Sequence, residues 1–457
     1  MTDDDAQHCH HDHHPFGRRT VLPRVDGLAI DRAVGRRSVL AGGMGGLLLA
    51  ALPLGSSGAW ATPLSAAAAT GEPTAEGAAR TSALFPGVTL VHGDLHNHTL
   101  LSDGDGDPAL AFESMRDAGL DVAALTDHTV VPQRFRDALG DALPPETEPF
   151  LGLDDAEWAL TGRLADAADA PGAFTAIRGF EWSGPIVGHV NVWFTQRYRA
   201  LTLVDAGRMD GLYRWLARPD RWWLEGGADG IFGFNHPGRE PGRFQEFRPE
   251  PGLVERMVSL ELFNRRDDYL FRGVAEGRTS PLVACLRAGW RPGILGVTDE
   301  HGTDWGVPEG KGRAGLWVAA NTRVGVREAM TARRFFATRE SGLRVAATAD
   351  GVPYGGTVRV SRGEVLVDLD VDRGPVWQGR PLEAQVLADG PVVPEVLAVE
   401  PVVAGVPARF RVPVDGAADR WLVIRVADPA EPSDAPGPAG HPANNRAVAY
   451  TSPWYLT

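Results

Sequence analysis

The stretch of this chain best equipped for chemistry is residues 92–107, HGDLHNHTLLSDGDGD. A short apolar run, Val88 to Val91, precedes it and reads as a β-strand, so His96 and His98, two positions apart, project from one face. Two imidazoles on one face form a metal clamp. Asp103 follows in the turn-prone segment SDGDGD, which can fold its carboxylate back toward the same point. Nitrogen combined with hard oxygen suits zinc, manganese or iron. Taken alone, the pair is as readily a surface loop that happens to hold histidines, so the remaining histidines decide between the two.

Of 13 histidines, five lie in the tract HCHHDHH at residues 8–14, and six of the other eight fall at or beyond the ends of apolar runs. These six are His96, His98, His128, His189, His236 and His301; His92 and His441 fall outside. DVAALTDH ends on Asp127 and His128, neighbours that face opposite ways on a strand, which makes His128 the ligand and Asp127 a group that orients a ligand or supports one from behind. FTAIRGFEWS carries Glu181, a carboxylate in an apolar run that needs a counter-charge. GHVNVWF supplies His189; IFGFNHPG supplies Asn235 and His236, with Pro237 turning the chain out of any regular element. VSLELFN places Glu261 and Asn264 at a strand end, and GILGVTDEH delivers Asp299 and His301. A chance scatter of core or surface histidines would not choose strand ends so consistently, and the pattern reads as a metal site.

The elements that must position these side chains are strands alternating with helices. Pro108 to Gly119 has helical spacing, a helix is expected over Trp158 to Ala168 inside an elaborated loop at 130–172, and residues 200–230 read as a helical insertion rich in arginine and tryptophan. Its Trp215, Trp222 and Trp223 would pack or wall a cleft. Another helical stretch is expected around 268–289, then a last strand at 314–320 and a helix through Phe336. This alternation argues for parallel β/α architecture, and ligands at the carboxyl ends of strands put the site on the catalytic rim of a barrel. From residue 343 the pattern changes to short alternating apolar and polar runs between Gly, Pro and Asp turns, which reads as an antiparallel β-sandwich. The expected fold class is therefore α/β, a barrel over 85–342 with a smaller β-sandwich over 343–457.

The chain has 457 residues and a formal charge of −14, which disfavours nucleic acid or an anionic membrane as partner. Lys311 is the single lysine, arginine supplying the positive charge. Residues 35–55, with Arg36 and Arg37 before a glycine-rich apolar run, and AWA at 59–61 resemble a twin-arginine export signal with a cleavage site. Residues 1–61 are accordingly expected to be a signal peptide with a His-rich leader that holds metal before export, engaging the export machinery transiently and leaving no stable membrane anchor. Residues 62–84 read as a disordered linker, and the mature chain is expected outside the cell or in its envelope. Cys9 precedes the signal and Cys285 stands alone, which excludes a disulfide framework in the mature chain.

In order, GDLHNHTLLSDG, LTDH, GFEWS, GHVNV, FNHP and GVTDEH resemble the motifs of the PHP (polymerase and histidinol phosphatase) metallohydrolases, and within them the branch that includes carbamate and aryl-ester hydrolases. The likeness spans about residues 88–340. It implies a distorted seven-stranded β/α barrel holding two or three divalent ions. It further implies His96, His98 and Asp299 on one ion, His189 and His236 on a second, Glu181 bridging these two, and Asp103, His128 and His301 on a third. Two such ions about 3.5–4 Å apart lower the pKa of a shared water until hydroxide, the nucleophile, exists at neutral pH. Glu181, Asp299, His236 and Arg239 would then be catalytic, and Ser183, lacking a glycine-bracketed elbow, would not.

For the substrate, a small-molecule ester, Arg239 just past His236, with Arg265 and Arg266 after Asn264, could clamp a phosphate. The tryptophan-rich insertion could instead wall an apolar pocket for a carbamate, ester or amide. The leading expectation is an exported metal-dependent phosphoesterase, the second a carbamate, ester or amide hydrolase on the same metals, and the third an exported metal-binding protein without turnover.

Overall fold

The computed structural model describes residues 78–457 apart from 134–135, 138–150, 203–204, 206, 222–224, 307–310, 362 and 416–419. The expected export signal, most of the linker, Trp222 and Trp223 lie outside the described residues. The first part of the chain runs β1 (Thr89–Asp94), α1 (Pro108–Asp117), β2 (Val122–Leu125), β3 (His128–Thr129), α2 (Asp155–Ala168), β4 (Thr175–Gly184), β5 (Gly188–Trp193), α3 (Asp210–Ala217) and β6 (Ile231–Phe234). It continues through β7 (Met257–Asn264), β8 (Asp267–Asp268), α4 (Pro281–Arg287), β9 (Gly293–Val297), β10 (Arg313–Val318), α5 (Arg323–Thr331) and β11 (Phe335–Thr338). Two helix starts show why they fall where they do. Asp107 caps α1 by accepting from Ala109 N at 2.8 Å, with Pro108 at the first helical position, and Asp154 with Glu157 forms a reciprocal capping box on α2.

The strands pair in the row β11–β10–β1–β2–β4–β5–β6–β7–β9, in a mixed α/β arrangement. Parallel ladders join β1 to β2, β2 to β4, β6 to β7 and β7 to β9. The strict alternation of strand and helix fails between β4 and β5, where only Pro185, Ile186 and Val187 intervene; so short a link permits an antiparallel hairpin but no crossover helix. The helix expected to run through Phe336 ends earlier, at Thr331, because Arg333 takes a left-handed backbone (φ 53°) and Phe335–Thr338 pairs with β10 instead. At the far end of the row β9 comes back beside β10 and β11: Gly296 meets the backbone of Arg313 and Gly293 meets the ring of Phe335 so closely that neither position has room for a Cβ. The row thus curls round on itself, although no ladder joins β9 to β10 among the described residues.

The remaining strands are β12 (Arg344–Ala349), β13 (Val352–Pro353), β14 (Thr357–Val358), β15 (Glu364–Asp372), β16 (Pro381–Ala388), β17 (Glu395–Val403), β18 (Ala408–Pro413), β19 (Trp421–Pro432), β20 (Asn445–Thr451) and β21 (Trp454–Leu456). Four of them form a separate sheet, β13–β12–β15–β18, whose Val345, Val367 and Leu369 bury against Val386, Ile424 and Val426 of β16 and β19. The β17–β16–β19–β20 group is hydrogen-bonded to β11 through β20, so the ladder passes without a break from the first part of the chain into the last. A buried polar column reinforces that junction: Arg425 Nε donates to Tyr450 Oη at 3.1 Å, and Tyr450 Oη donates to Asp268 Oδ2 at 2.8 Å, just beyond β7. No described helix is long and apolar enough to cross a membrane.

Candidate metal centre

The strand ends deliver their polar residues to one place. His96 and His98 follow β1, His128 opens β3, Glu181 and His189 lie on β4 and β5, His236 follows β6, Glu261 lies on β7, and Asp299 and His301 follow β9. These residues and Asp103 come together in one cluster, with five of the histidines around Glu181. Its Oε1 lies 3.3 Å from His96 Nε2, from His189 Nδ1 and from His236 Nε2; its Oε2 lies 2.7 Å from His128 Nδ1 and 3.6 Å from His98 Nε2. Asp299 Oδ1 is 3.3 Å from His96 Nε2 and 3.2 Å from His98 Nε2, and those two nitrogens are 3.1 Å apart. Asp103 faces His128 Nε2 and His301 Nε2, each at 3.4 Å.

These separations fit a metal centre better than a hydrogen-bond network. Two ligands about 2.0–2.1 Å from a shared ion stand about 3.3–3.4 Å apart in a tetrahedron, close to the 3.1–3.3 Å that separates His96 Nε2 from His98 Nε2, Glu181 Oε1 and Asp299 Oδ1. Two imidazole nitrogens in contact at 3.1 Å are readily explained as lone pairs aimed at one cation. Glu181 Oε2, His189 Nδ1 and His236 Nδ1 are moreover buried without a hydrogen-bond partner of good geometry, a state that folded proteins otherwise avoid. Among the described residues, four overlapping groups have the proximity a cation needs: His96, His98 and Glu181; His128, Glu181 and His189; His98, Asp103, His128 and His301; and His189, His236 and Glu240.

The charges are arranged accordingly. Burial by itself would raise the Glu181 carboxyl, but His189, His96 and His128 outweigh it and hold it well below the usual range; Asp299 is likewise held down by His96, Arg265 and His301. Burial would lower His96, yet Asp299, Glu181 and Glu261 raise it well above an ordinary imidazole, and Asp103 and Glu181 do the same for His128. His98 goes the other way, down to about 3, because burial is reinforced by His301 and His128.

A second layer of contacts holds the ligands in place. Glu261 accepts from His96 Nδ1 at 2.9 Å and from the His236 backbone N–H at 2.8 Å, so one carboxylate fixes a ligand ring and a ligand backbone. Asp94 accepts from Thr298 N at 3.1 Å and from the Thr298 hydroxyl, tying the end of β1 to the end of β9. Asp127 does not touch His128 and instead supports the cluster through Ser102, whose Oγ lies 3.5 Å from His98 Nδ1. Facing the other way, it accepts from Thr99 N at 2.7 Å and Ser102 Oγ at 2.7 Å, shaping the loop between His98 and Asp103. His128 is held by Ser183 Oγ, 2.6 Å from its Nδ1. His236, Arg265 and Asp299 all carry left-handed backbones (φ 29°, 53° and 49°), each costing about 1–3 kcal/mol, a local strain that folds retain where a side chain must be aimed.

Arginine borders the cluster. Arg239 Nη2 lies 3.4 Å from Asp299 Oδ2 and 3.3 Å from Asn264 Oδ1, and Arg265 Nε lies 3.5 Å from the same Asp299 oxygen, both side chains staying about a third exposed. Arg266 is exposed. Trp215 is buried in the core 5.8 Å from the Phe180 ring and forms no cleft wall. Sequence reasoning missed Glu240, which stands beside His189 and His236; it sits on no strand, and the one signal was its place four residues after a histidine.

No protein-family model matches the chain, and no curated protein matches it. Among solved structures it is similar to a two-domain protein from Bacteroides vulgatus containing a predicted PHP-like metal-dependent phosphoesterase, at 15% identity over 84% of this chain and 100% of that one, with a TM-score of 0.42. It is also similar to a candidate metal-dependent phosphoesterase from Bifidobacterium adolescentis (16% identity, 46% and 88% covered, TM-score 0.25). A third likeness is to an amidohydrolase from Chromobacterium violaceum with bound sulfate and no metal (15% identity, 46% and 87% covered, TM-score 0.24).

Proposed function

We propose that the chain is an exported metal-dependent hydrolase of the PHP type, acting on phosphoesters, with its site on the rim of a distorted barrel formed by the curled strand row. The observation that carries this is that His96 and His98 lie 3.1–3.6 Å from each other and from both Glu181 and Asp299, while His189 and His236 also meet Glu181. His96, His98 and Asp299 would hold one divalent ion, His189 and His236 a second, with Glu181 between them, and Asp103, His128 and His301 a third. Zinc, manganese or iron fits this donor set. Such ions, when bound, lower the pKa of water and polarise the substrate's phosphoryl oxygen.

The chain's own residues do the rest. Arg239 and Arg265 present guanidinium groups beside Asp299, where they can accept a phosphate and neutralise charge that builds on it. Asn264 holds Arg239 in that orientation, and Asn235 Nδ2, 2.6 Å from Glu181 Oε1, fixes the central carboxylate. Phosphoesters are favoured over carbamates or neutral esters because the rim has these two arginines, whereas Trp215 is spent in the core. The test is turnover of nitrophenyl phosphates against nitrophenyl esters and naphthyl carbamates after manganese or zinc loading. A preference for the carbamates or esters would overturn the substrate assignment, and no turnover of any of them would overturn the enzyme reading.

A further inference from the structure

We propose that Glu240 is a positioning residue that holds His189 and His236 on the second cation, an inference that rests on the metal-dependent reading above. The geometry assigns one carboxylate oxygen to each ring: Oε1 lies 3.9 Å from His189 Nε2, and Oε2 lies 3.5 Å from His236 Nδ1. The opposite nitrogen of each ring, His189 Nδ1 and His236 Nε2, lies 3.3 Å from Glu181 Oε1. A neutral imidazole that offers a lone pair from one nitrogen carries its proton on the other. Both rings therefore present an N–H toward Glu240 when they present a lone pair toward Glu181. Glu261 does the same for His96, at 2.9 Å from Nδ1.

At 3.5 and 3.9 Å, Glu240 faces the rings as an ion rather than as a hydrogen-bond acceptor. Its effect is to select the tautomer and to strengthen both donors, and because Glu240 is only 8% exposed, solvent screens it little. Its Oε2 and His236 Nδ1 are both buried without a hydrogen-bond partner.

The loop that carries Glu240 is built to keep it there. Gly238 takes φ +99°, and after Gly242 the residues Arg243–Phe247 form a left-handed turn, φ 41–56°, costly for side-chain-bearing residues. That turn is pinned to the residues just before His189: Gly242 N donates to Ile186 O at 2.8 Å, Phe244 N donates to Val187 O at 2.5 Å, and the Phe244 ring lies so close to Gly188 that a Cβ there would sit 2.6 Å from it. The carboxylate and the His189 ring are thereby held in register.

The experiment is titration of the metal-stripped full chain with Zn2+ against a chromophoric chelator, for the unaltered protein, Glu240→Gln, Glu240→Asp, His236→Ala and the His236→Ala/Glu240→Gln pair. The expected result is an affinity loss of about 10–100-fold at one class of site in Glu240→Gln, partial recovery in Glu240→Asp, and little further loss when Glu240→Gln is added to His236→Ala. The metal-stripped Glu240→Gln protein should melt within a degree or two of the unaltered one, which separates this role from a structural one. The His-rich tract at 8–14 is common to every variant and cancels. Unchanged Zn2+ affinity in Glu240→Gln, or full additivity with His236→Ala, overturns the proposal while leaving the hydrolase reading intact. Failure of the unaltered chain to hold Zn2+ more tightly than a chain lacking His96, His236 and Asp299 overturns both.

Discussion

Replacing Arg239 by methionine separates the phosphoester reading from its rival. The side chain lies beside Asp299, about a third exposed, and is kept charged because Tyr269, Asp299 and Glu240 outweigh the burial that would lower its pKa. Methionine keeps the length of the stem and removes the charge and the donors. One hydrogen bond from a cation to a phosphoryl oxygen contributes about 1.5–3 kcal/mol, so kcat/KM for 4-nitrophenyl phosphate should fall about 10- to 150-fold. The lower end is expected, since partial exposure weakens the interaction. A neutral 4-nitrophenyl ester has no anionic oxygens to lose and should change less than about threefold on the same argument. Metal content, measured on the same samples, should be unaltered, because Arg239 supplies no lone pair. Equal losses on both substrates with metal retained would refute the reasoning, as would no loss on the phosphate.

Four further outcomes follow from the structure. In the metal-stripped protein, the lowered carboxyls of Glu181 and Asp299 contribute stability that is present above their ordinary values of 4.5 and 3.8 and lost as pH falls through the folded values. The raised His96 and His128 contribute stability present below 6.5 and lost as pH rises through theirs, so thermal melts should peak between these limits. Metal ligation needs neutral imidazole, so the rise in Tm on adding Zn2+ should be larger at pH 8 than at pH 5.5; a flat or reversed dependence contradicts the cluster. Tyr450→Phe, which strands the buried Asp268 carboxylate and the Arg425 Nε donor, should destabilise the protein by about 1–3 kcal/mol in chemical unfolding, and a change within error would show that the column is not a support. Ser102→Ala, which removes a 2.7 Å hydrogen bond to Asp127, should loosen the Asp103 loop and lower the metal content measured after dialysis against a weak chelator, and unchanged content would contradict that role.

What could be read from the chain alone follows from what each residue type needs. Ligand side chains at strand ends are conspicuous because the strands before them are apolar, so a carboxylate such as Glu181 or a histidine such as His236 breaks the pattern at the point where it enters the site. Glu240 breaks no pattern. It lies in a proline- and glycine-rich loop where charge is ordinary, and only the fold brings it to two histidines. The direction of the strands was illegible for a different reason: buried strands read alike whether parallel or antiparallel, and the short β4–β5 link was the single sequence clue to a hairpin. Trp215 could be read as core or as cleft wall from its apolar spacing, and its neighbours Phe180 and Leu216 decide for the core. The alternating pattern after residue 343 identified strands correctly, but not that β20 would pair with β11, since pairing across about a hundred residues leaves no mark on local alternation.

The most direct measurement is elemental analysis of the purified full chain beside Glu181→Ala, both expressed with manganese and zinc in the medium and dialysed against a weak chelator. Because Glu181 Oε1 stands 3.3 Å from His96, His189 and His236 alike, its loss should release about two ions per chain, while the leader tract contributes equally to both samples. Equal metal content in the two proteins would mean that these side chains meet without gripping a cation, and the hydrolase would have no nucleophile.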